Sequence, residues 1–556
     1  MAGNGKRLRA IDLYSGVGGW SLGLRLAGIE VVASYERWGP ANETNFKNNS
    51  HQPQTVDIRR LSLTDLPTNI DVVVGSPPCT QFSFSNRGGS GDIADGLEDI
   101  RQFLTIVDHL RPSVWAMENV PRAAKIIDSE FKKGGLLSEF AHLDCKSHIV
   151  DMAEYGLPQR RRRCIAGNFP IELLKSYRRT LFSPTLGRVV AALAKDPIID
   201  PLYGLTLARS EVTDHTLEDP LSAEEVRINC ANKMRHIVYN AMPFPDVLDR
   251  PVRTITATCT RVSRESIVIS DSRFPESFRR LSLRERASLQ GFPLTFQFYG
   301  TNYSQKLRMI GNAVPPAFAY LIGHAFQNHP VDDVPRLREI SIGSSRPMPE
   351  PVATPPERAG ARYPDGRSFR FAIPSLQLKS GVRFELRNEH SGCSVGWRVG
   401  FYFGTSKAIQ NMRLDADLRR HLSGEMSVGL AAVAEPLLTD LLSFVGKADI
   451  RNMQAVWTHR RPGGTHAFTL LDQLDDVGAA LIKALSPHGQ EARALVESAL
   501  LHSYGVGVDA IPGIPKLLRN SPLILAGLLI GAATNSLISN RGQSNFADKS
   551  GHASTG

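Results

Sequence analysis

Cys79 stands in the run Gly75-Ser76-Pro77-Pro78-Cys79-Thr80-Gln81-Phe82-Ser83, directly behind the apolar stretch Asp71-Val72-Val73-Val74. A lone cysteine is most often a small buried hydrophobe, but this one has companions suited to nucleophilic chemistry. Downstream, Glu118-Asn119-Val120 follows a second apolar run, Ser113 to Met117. A thiolate adds to a carbon of an aromatic base only if the charge developing on the ring is neutralised, for example by a proton at the adjacent ring nitrogen, and a carboxyl group can serve that purpose. Further on, Gln159-Arg160-Arg161-Arg162-Arg163 leads into an apolar strand. Side-chain alternation is expected to send Arg161 and Arg163 to one face, where guanidinium groups suit phosphate contact and support of a reacting base.

The elements that must position these groups read as an α/β domain. The three valines form a short buried strand that the diproline ends, since proline offers no ladder donor and fixes its own φ. Cys79 then leaves at the carboxyl edge of the sheet, where open α/β sheets bind ligands. Strands are predicted at Leu8–Leu13, Val31–Tyr35, Val72–Val74, Ser113–Met117, Lys146–Ala153 and Arg163–Gly167, and helices at Trp20–Ala27 and Leu97–Leu110. That alternation indicates a doubly wound, mostly parallel sheet. The turn Asp12-Leu13-Tyr14-Ser15-Gly16-Val17-Gly18-Gly19 joins a strand to a helix; its glycines allow close backbone approach to a ligand. Glu36 ends the next strand, placed to hold both ribose hydroxyls of a nucleoside, and Asp57-Ile58 sits where a side-chain oxygen can accept from an adenine amino group. Together they indicate an adenosine-bearing cofactor.

The 556 residues are too many for one ordinary core, and two or three domains are expected. The composition, 42% hydrophobic and 22% charged, is that of a globular protein. The net charge of +10 permits a polyanionic partner. Residues 155–280 hold 20 Lys and Arg against 14 Asp and Glu, so much of that charge lies in one middle segment. Six scattered cysteines with no CxxC pair predict neither a metal site nor disulfides and fit the reducing cytoplasm. No signal peptide is recognised at the start. The long apolar stretch Pro522–Ser539, interrupted by Asn535 and Ser536, reads as a buried helix rather than a bilayer span.

Taken in order, these segments resemble the cytosine-carbon-5 DNA methyltransferases, most closely the bacterial and phage enzymes of restriction-modification type, over about residues 8–328. The resemblance is carried by the 12–19 turn, Glu36, Asp57-Ile58, Pro77-Pro78-Cys79 with Phe82-Ser83, Glu118-Asn119-Val120, Gln159 to Arg163, Leu289-Gln290-Gly291-Phe292-Pro293 and Gly311-Asn312-Ala313-Val314-Pro315. It implies a Rossmann-like S-adenosylmethionine-dependent methyltransferase fold with a small target-recognition domain. It also implies a mechanism in which Cys79 adds to carbon 6 of a cytosine flipped out of duplex DNA. Glu118 would hold or protonate ring nitrogen 3, Arg163 would help bind the carbonyl oxygen, Arg161 would be a further catalytic residue, and carbon 5 would take the methyl group. By the same likeness the cofactor residues are Asp12, Tyr14, Gly16, Gly18, Gly19, Glu36, Trp38, Asp57, Ile58, Pro78 and Asn312. The expected DNA contacts are Ser83, Ser85, Arg87, Gln159, Arg253, Thr256, Arg261 and Arg264, with Asp246 a further one. Ser83–Gly96 resembles the mobile loop that closes over DNA. Two residues depart from the family pattern: Thr80 replaces the glutamine usual after the cysteine, and Ala313 replaces a serine.

The expected organisation is a catalytic and cofactor-binding domain at 1–169 completed by 279–328, a target-recognition region at 170–278, and a proline-rich linker at 329–364. A separate C-terminal α+β domain follows at 365–540, whose role the sequence does not give, then a tail at 541–556. The expected partner is double-stranded DNA, bound by a monomer, with a cognate restriction endonuclease in function, no membrane, and a cytoplasmic or nucleoid location. A tRNA cytosine-5 methyltransferase and a non-catalytic DNA-binding regulator are the alternative readings.

Overall fold

The computed structural model describes the chain except residues 1–6, 50, 79–80, 83–91, 181–183, 235–240, 344–346, 359, 361, 380, 392–393, 406–407, 506–512 and 551–556. It divides into two compact units, residues 1–233 with 242–359, and residues 234–241 with 360–556.

The first unit is built on strands β1 (Arg9–Leu13), β2 (Glu30–Glu36), β3 (Gln54–Thr55), β4 (Val72–Gly75), β5 (Val114–Asn119), β6 (Lys146–Asp151), β7 (Gln159–Arg160) and β8 (Arg162–Asn168). All but β7 form one seven-stranded sheet in the order β3-β2-β1-β4-β5-β8-β6. The first five strands run parallel, while β8 is antiparallel to both β5 and β6. Buried on both faces, the central strands are continuous apolar runs, as parallel sheets require. Alternation sends Ala10, Val72, Val74 and Ala116 to one face, under α1 (Gly19–Leu26). Ile11, Val73, Trp115 and Met117 go to the other. Between β2 and β3 lies α2 (Gly39–Asn49), and α3 (Ile93–Leu110) and α4 (Pro121–Glu130) cover the second face.

After β8 come α5 (Ile171–Ser176), α6 (Leu186–Leu193), the hairpin of β9 (Ile198–Ile199) and β10 (Thr206–Leu207), and α7 (Ala223–Met234). The short strands β11 (Val252–Arg253), β12 (Val268–Ser270) and β13 (Phe278–Arg280) follow, with β11 pairing to β7. Helices α8 (Leu283–Leu289), α9 (Tyr303–Asn312) and α10 (Pro316–Phe326) return to the sheet. There α10 packs on α1 so closely that a Cβ on Gly23 would stand 2.4 Å from that of Ala319. Only glycine fits that crossing.

The sequence reading missed α2, α4, α5, α6 and α9. The polar α2 has little apolar periodicity, and its asparagines are held from outside the helix: Asn42 donates to Glu36 O (2.8 Å), Asn45 to Ser34 Oγ (3.2 Å) and Asn49 to Gly18 O (3.2 Å). The proline-rich stretch is tied to the first unit. Tyr299 Oη donates to Pro349 O (2.6 Å), Lys306 Nζ to Val352 O (3.0 Å), and Arg280 pairs with Glu357 at 3.1 Å.

The second unit is an antiparallel meander of β14 (Arg370–Gln377), β15 (Arg383–Ser391), β16 (Ser394–Thr405) and β17 (Ala408–Met412) with helices α11 (Ala416–Glu425), α12 (Val428–Lys447), α13 (Met453–Trp457), α14 (Ala467–Leu485), α15 (Gly489–Tyr504), α16 (Ile514–Arg519) and α17 (Ser521–Ser550). Among the described residues two segments, Val428–Lys447 and Ser521–Ser539, are long and apolar enough to cross a membrane. The second is 78% buried in the unit. Its polar interruption explains that burial: Asn535 Nδ2 donates to Val399 O (2.9 Å) and Leu414 O (2.8 Å), and its Oδ1 accepts from Val399 N (2.8 Å).

Candidate active site and nucleic-acid cleft

The order of the sheet reverses between β1 and β4, which opens a crevice at their carboxyl ends. Because Leu13 is in register with both Tyr35 and Gly75, and Gly75 with Met117, four strands release their chains at one level. A cavity of about 290 Å³ sits there, near the lower end for small-molecule sites. Tyr14 to Val17 line it from β1, Glu36 to Trp38 from β2, Ser76 to Pro78 from β4, and Glu118 from β5; Asp57, Ile58, Arg308 and Asn312 complete the wall.

The turn after β1 is held open by its backbone. Tyr14 (φ 54°) and Gly16 (φ 52°) lie in the left-handed region, a strained placement for tyrosine of the kind found at ligand sites. The Glu36 carboxylate accepts from Gly16 N (3.1 Å) and Trp38 N (2.8 Å), which fixes it while leaving lone pairs for further donors. Trp38 lies under the guanidinium of Arg308, 4.8 Å from its ring centre. These features fit an adenosine-bearing group: an anchored acceptor for two hydroxyls, apolar walls from Val17, Ile58 and Trp38, and Asp57 beside them.

Several expected cofactor residues serve the turn instead. Asp12 is fully buried beneath the cavity; its Oδ2 accepts from Ser21 Oγ (2.7 Å) and Ser21 N (3.1 Å), locking β1 to α1. Burial pushes its carboxyl up from 3.8 to about 7, opposed by the Ser21 bonds and reinforced by the charge of Glu36. Gly18 precedes the helix in a left-handed conformation, and Gly19 abuts Val314 O, where a Cβ would approach to 2.0 Å. All three support the site from outside its lining.

Below β4, the exit is anchored on both sides. Ser76 N donates to Leu13 O (3.1 Å), Trp20 Nε1 to Ser76 Oγ (3.1 Å), and Asn119 Nδ2 to Pro77 O (3.1 Å). Cys79 and Thr80 lie outside the described residues, as do Ser83, Ser85 and Arg87. The two residues between them are placed: Phe82 is buried against Gly96, and Gln81 Nε2 donates to Asp95 Oδ2 (3.2 Å). Asp95 pairs with Arg59, which also pairs with Asp99, each at 2.7 Å, and Asp99 accepts from the Tyr14 hydroxyl at 3.2 Å. Sequence reasoning missed Arg59, Asp95 and Asp99. The only signal was the capping pattern of Asp92 before α3, whose Oδ1 accepts from Asp95 N (3.1 Å).

On β5 and β8, Glu118 is paired with Ile165, and Arg163 with Val150 of β6. The Arg163 Nε–Glu118 Oε1 distance is 2.8 Å, an ion pair in separation though not aligned as a hydrogen bond. Glu118 lines the cavity, while Arg163 lines a second, larger cleft of about 770 Å³ with Arg160, Arg162, Arg250 and Arg253. Thr254 and Thr256 add hydroxyls there, and Asp151, Asp246 and Glu265 partly balance the charge.

The expected pairing of Arg161 with Arg163 is corrected. Arg161 falls at the break between β7 and β8, is 2% exposed, and donates to Gly311 O and Ala313 O at 3.2 Å. It clamps the turn that carries Asn312. Two expected DNA contacts are corrected likewise. Gln159 is buried and bridges Gln290 Oε1 (2.6 Å) and Ile255 N (2.8 Å). Arg261 is buried between Glu225 (2.7 Å) and Glu218 (3.2 Å). Arg253 lines the cleft but is oriented by Asp246 at 2.8 Å, and Asp246 is itself 6% exposed. Arg264 is half-buried and stands outside the residues lining that cleft. Among the described residues no cluster suited to a metal ion occurs.

Comparison with known proteins gives one family over the first unit: the model described as C-5 cytosine-specific DNA methylase matches residues 8–328. The Type II methyltransferase M.HgiDI of Herpetosiphon aurantiacus is 28% identical over 342 residues, covering 60% of this chain and 98% of that protein. The Type II methyltransferase M.AplI of Arthrospira platensis is 30% identical over 323 residues, 57% of this chain and 84% of that protein. Among solved structures, the S. pombe Dnmt2 methyltransferase aligns over 58% of this chain and 99% of its own, at 17% identity and a TM-score of 0.40.

Proposed function

As the chain belongs to the C-5 cytosine-specific DNA methylase family, we propose that its first unit methylates carbon 5 of a cytosine flipped out of duplex DNA, through a covalent adduct with Cys79. The observation that carries this reading is the Glu118–Arg163 pair, which stands between the nucleoside-shaped cavity and the arginine-lined cleft. A base turned out of a duplex in the cleft meets both side chains at the level of the Pro77-Pro78 exit.

In this reading Cys79 loses its proton and its sulfur bonds to carbon 6 of the ring, which moves electron density toward carbon 5 and nitrogen 3. Glu118 holds the proton at nitrogen 3, and Arg163 orients that carboxyl and supports the ring carbonyl oxygen. Glu36 accepts from ribose hydroxyls, Trp38 and Ile58 shield the adenine, and Asp57 accepts from its amino group. S-adenosylmethionine, when bound there, supplies the activated methyl group. Loss of the carbon-5 proton to solvent then lets the carbon–sulfur bond break, restoring the aromatic ring and releasing the Cys79 thiolate, which takes a proton back from solvent. Arg160, Arg162 and Arg250 are suited to phosphates, and the sequence that is read depends on the segment between β8 and α8. A cytoplasmic monomer working beside a restriction endonuclease completes the proposal.

Labelled S-adenosylmethionine and mixed-sequence duplex should yield 5-methylcytosine, and Cys79→Ser should yield none. Label at an exocyclic nitrogen, or on tRNA in preference to duplex, sinks the proposal. Bisulfite sequencing of host DNA after expression reports the recognised site in the same experiment.

A further inference from the structure

The second unit lies outside the matched family region, and its sheet has two unlike faces. One carries Phe371, Leu386 and Val399 in one register row and Phe384, Phe401 and Met412 in another. On the opposite face Arg370 is directly across from Arg387, and Arg387 from Arg398, so three guanidinium groups form a row over three strands. Like charges in direct cross-strand register are destabilising. Two carboxylates answer them: Glu385 pairs with Arg370 at 2.7 Å and Arg383 at 3.1 Å, and Glu389 pairs with Arg398 at 2.9 Å and also with Arg387.

Four arginines therefore face two acids on this side of β14–β16, and the face remains cationic. It is also open at its ends. The Arg370 and Arg398 side chains are 49% and 43% exposed, whereas Arg387 at 19% and Arg383 at 5% are largely covered. The aromatic ring on this face offers no apolar anchor: Tyr402 is 6% exposed, with Arg370, Arg383 and Arg387 all within 5.5 Å of its centre. A protein interface needs a desolvated apolar core, whereas a rigid row of guanidiniums without one suits a chain of phosphates. Strand spacing makes the row roughly 10 Å long, about the axial span of four successive phosphates on one strand of a duplex.

We propose that this face of the second unit is a sequence-independent binding surface for the phosphate backbone of duplex DNA, separate from the arginine-lined cleft of the first unit. The choice of DNA over other polyanions rests on the proposed function.

The test uses the full chain and a mixed-sequence duplex, with affinity measured across a range of salt. R370A/R398A should bind several-fold more weakly at 0.1 M salt and lower the slope of log affinity against log salt by about 2, since each neutralised phosphate contributes about 0.9. R370K/R398K should recover most of the loss. Should the double alanine variant fail to fold by circular dichroism, R398Q alone serves, with a slope change of about 1. An unchanged slope, a loss that lysine does not rescue, or weakened binding to RNA with duplex binding intact overturns the proposal. Methyl transfer at saturating duplex should be unchanged by these variants; a wild-type protein that forms no 5-methylcytosine defeats the proposed function and leaves the binding measurement standing.

Discussion

Arg161 and Arg163 are two residues apart, yet one clamps main-chain carbonyls and the other meets a carboxylate. Their replacement should separate cleanly. Arg161→Met removes the buried side-chain donor from Gly311 O and leaves Ala313 O with Gln290 Nε2 alone (2.7 Å), a loss on the order of 1–3 kcal/mol for an unsatisfied group. It should lower the melting temperature and weaken cofactor binding by displacing Asn312. Arg163→Met should keep cofactor affinity while methyl transfer falls by about 10²-fold or more. Equal cofactor affinities for the two variants contradict this assignment. Asp12 makes a different residue-scale prediction. The folded protein holds its proton up to about pH 7, whereas the unfolded chain releases it near 3.8. Stability therefore falls as pH rises through that window, on the order of 1.4 kcal/mol per unit crossed. Asp12→Asn removes the titration, so urea midpoints of variant and wild type should diverge in the variant's favour from pH 4 to 7. Parallel profiles would refute it.

At the scale of elements, the strand β4 and the helix α3 bracket Cys79, and they are linked to the cavity by a chain of polar contacts. Tyr14, Asp99, Arg59, Asp95 and Gln81 follow one another at hydrogen-bond distance, from the turn after β1 to the residue two places beyond the cysteine. Gln81 also accepts from Asp92 N at 3.1 Å, tying it to the start of α3. Gln81, which follows Thr80, is thus turned toward α3. Arg59→Gln should raise the KM for S-adenosylmethionine several-fold, because Tyr14 and Asp57 flank it. Gln81→Ala should lower kcat with that KM nearly unchanged. Calorimetric titration of cofactor against each variant checks the split, and identical effects of the two would break the argument.

At the scale of the whole molecule, the proline-rich stretch has more to do than separate two units. Its residues supply an acid to the buried Arg280 and carbonyls to Lys306 and Tyr299, so the first unit extends past α10 to about residue 358. A chain ending at residue 358 should fold and methylate duplex at saturating DNA. One ending at residue 328, the limit of the family match, should express poorly or melt several degrees lower, since Arg280 loses one of its two carboxylates. Comparable melting of the two truncations would show that the stretch is only a tether.

What the sequence determined by itself was the local grammar: apolar runs that had to be buried strands, a diproline that had to end one of them, glycines at a strand-to-helix turn, and Glu36, Glu118 and Arg163 at strand ends or starts. Parallel strands with aligned carboxyl ends then bring those ends to one edge, which is why Tyr14, Glu36, Pro78 and Glu118 share a cavity. Tertiary structure alone decided which polar residues face it. Gln159, Arg161 and Arg261 have the chemistry of site residues, but each is buried and held by partners far along the chain, and no spacing rule reports that. The polar helix α2 shows the same limit, as its asparagines are held by contacts from β2 and the first turn rather than by a periodic apolar face. In the second unit, only strand register set Arg370, Arg387 and Arg398 in a single row.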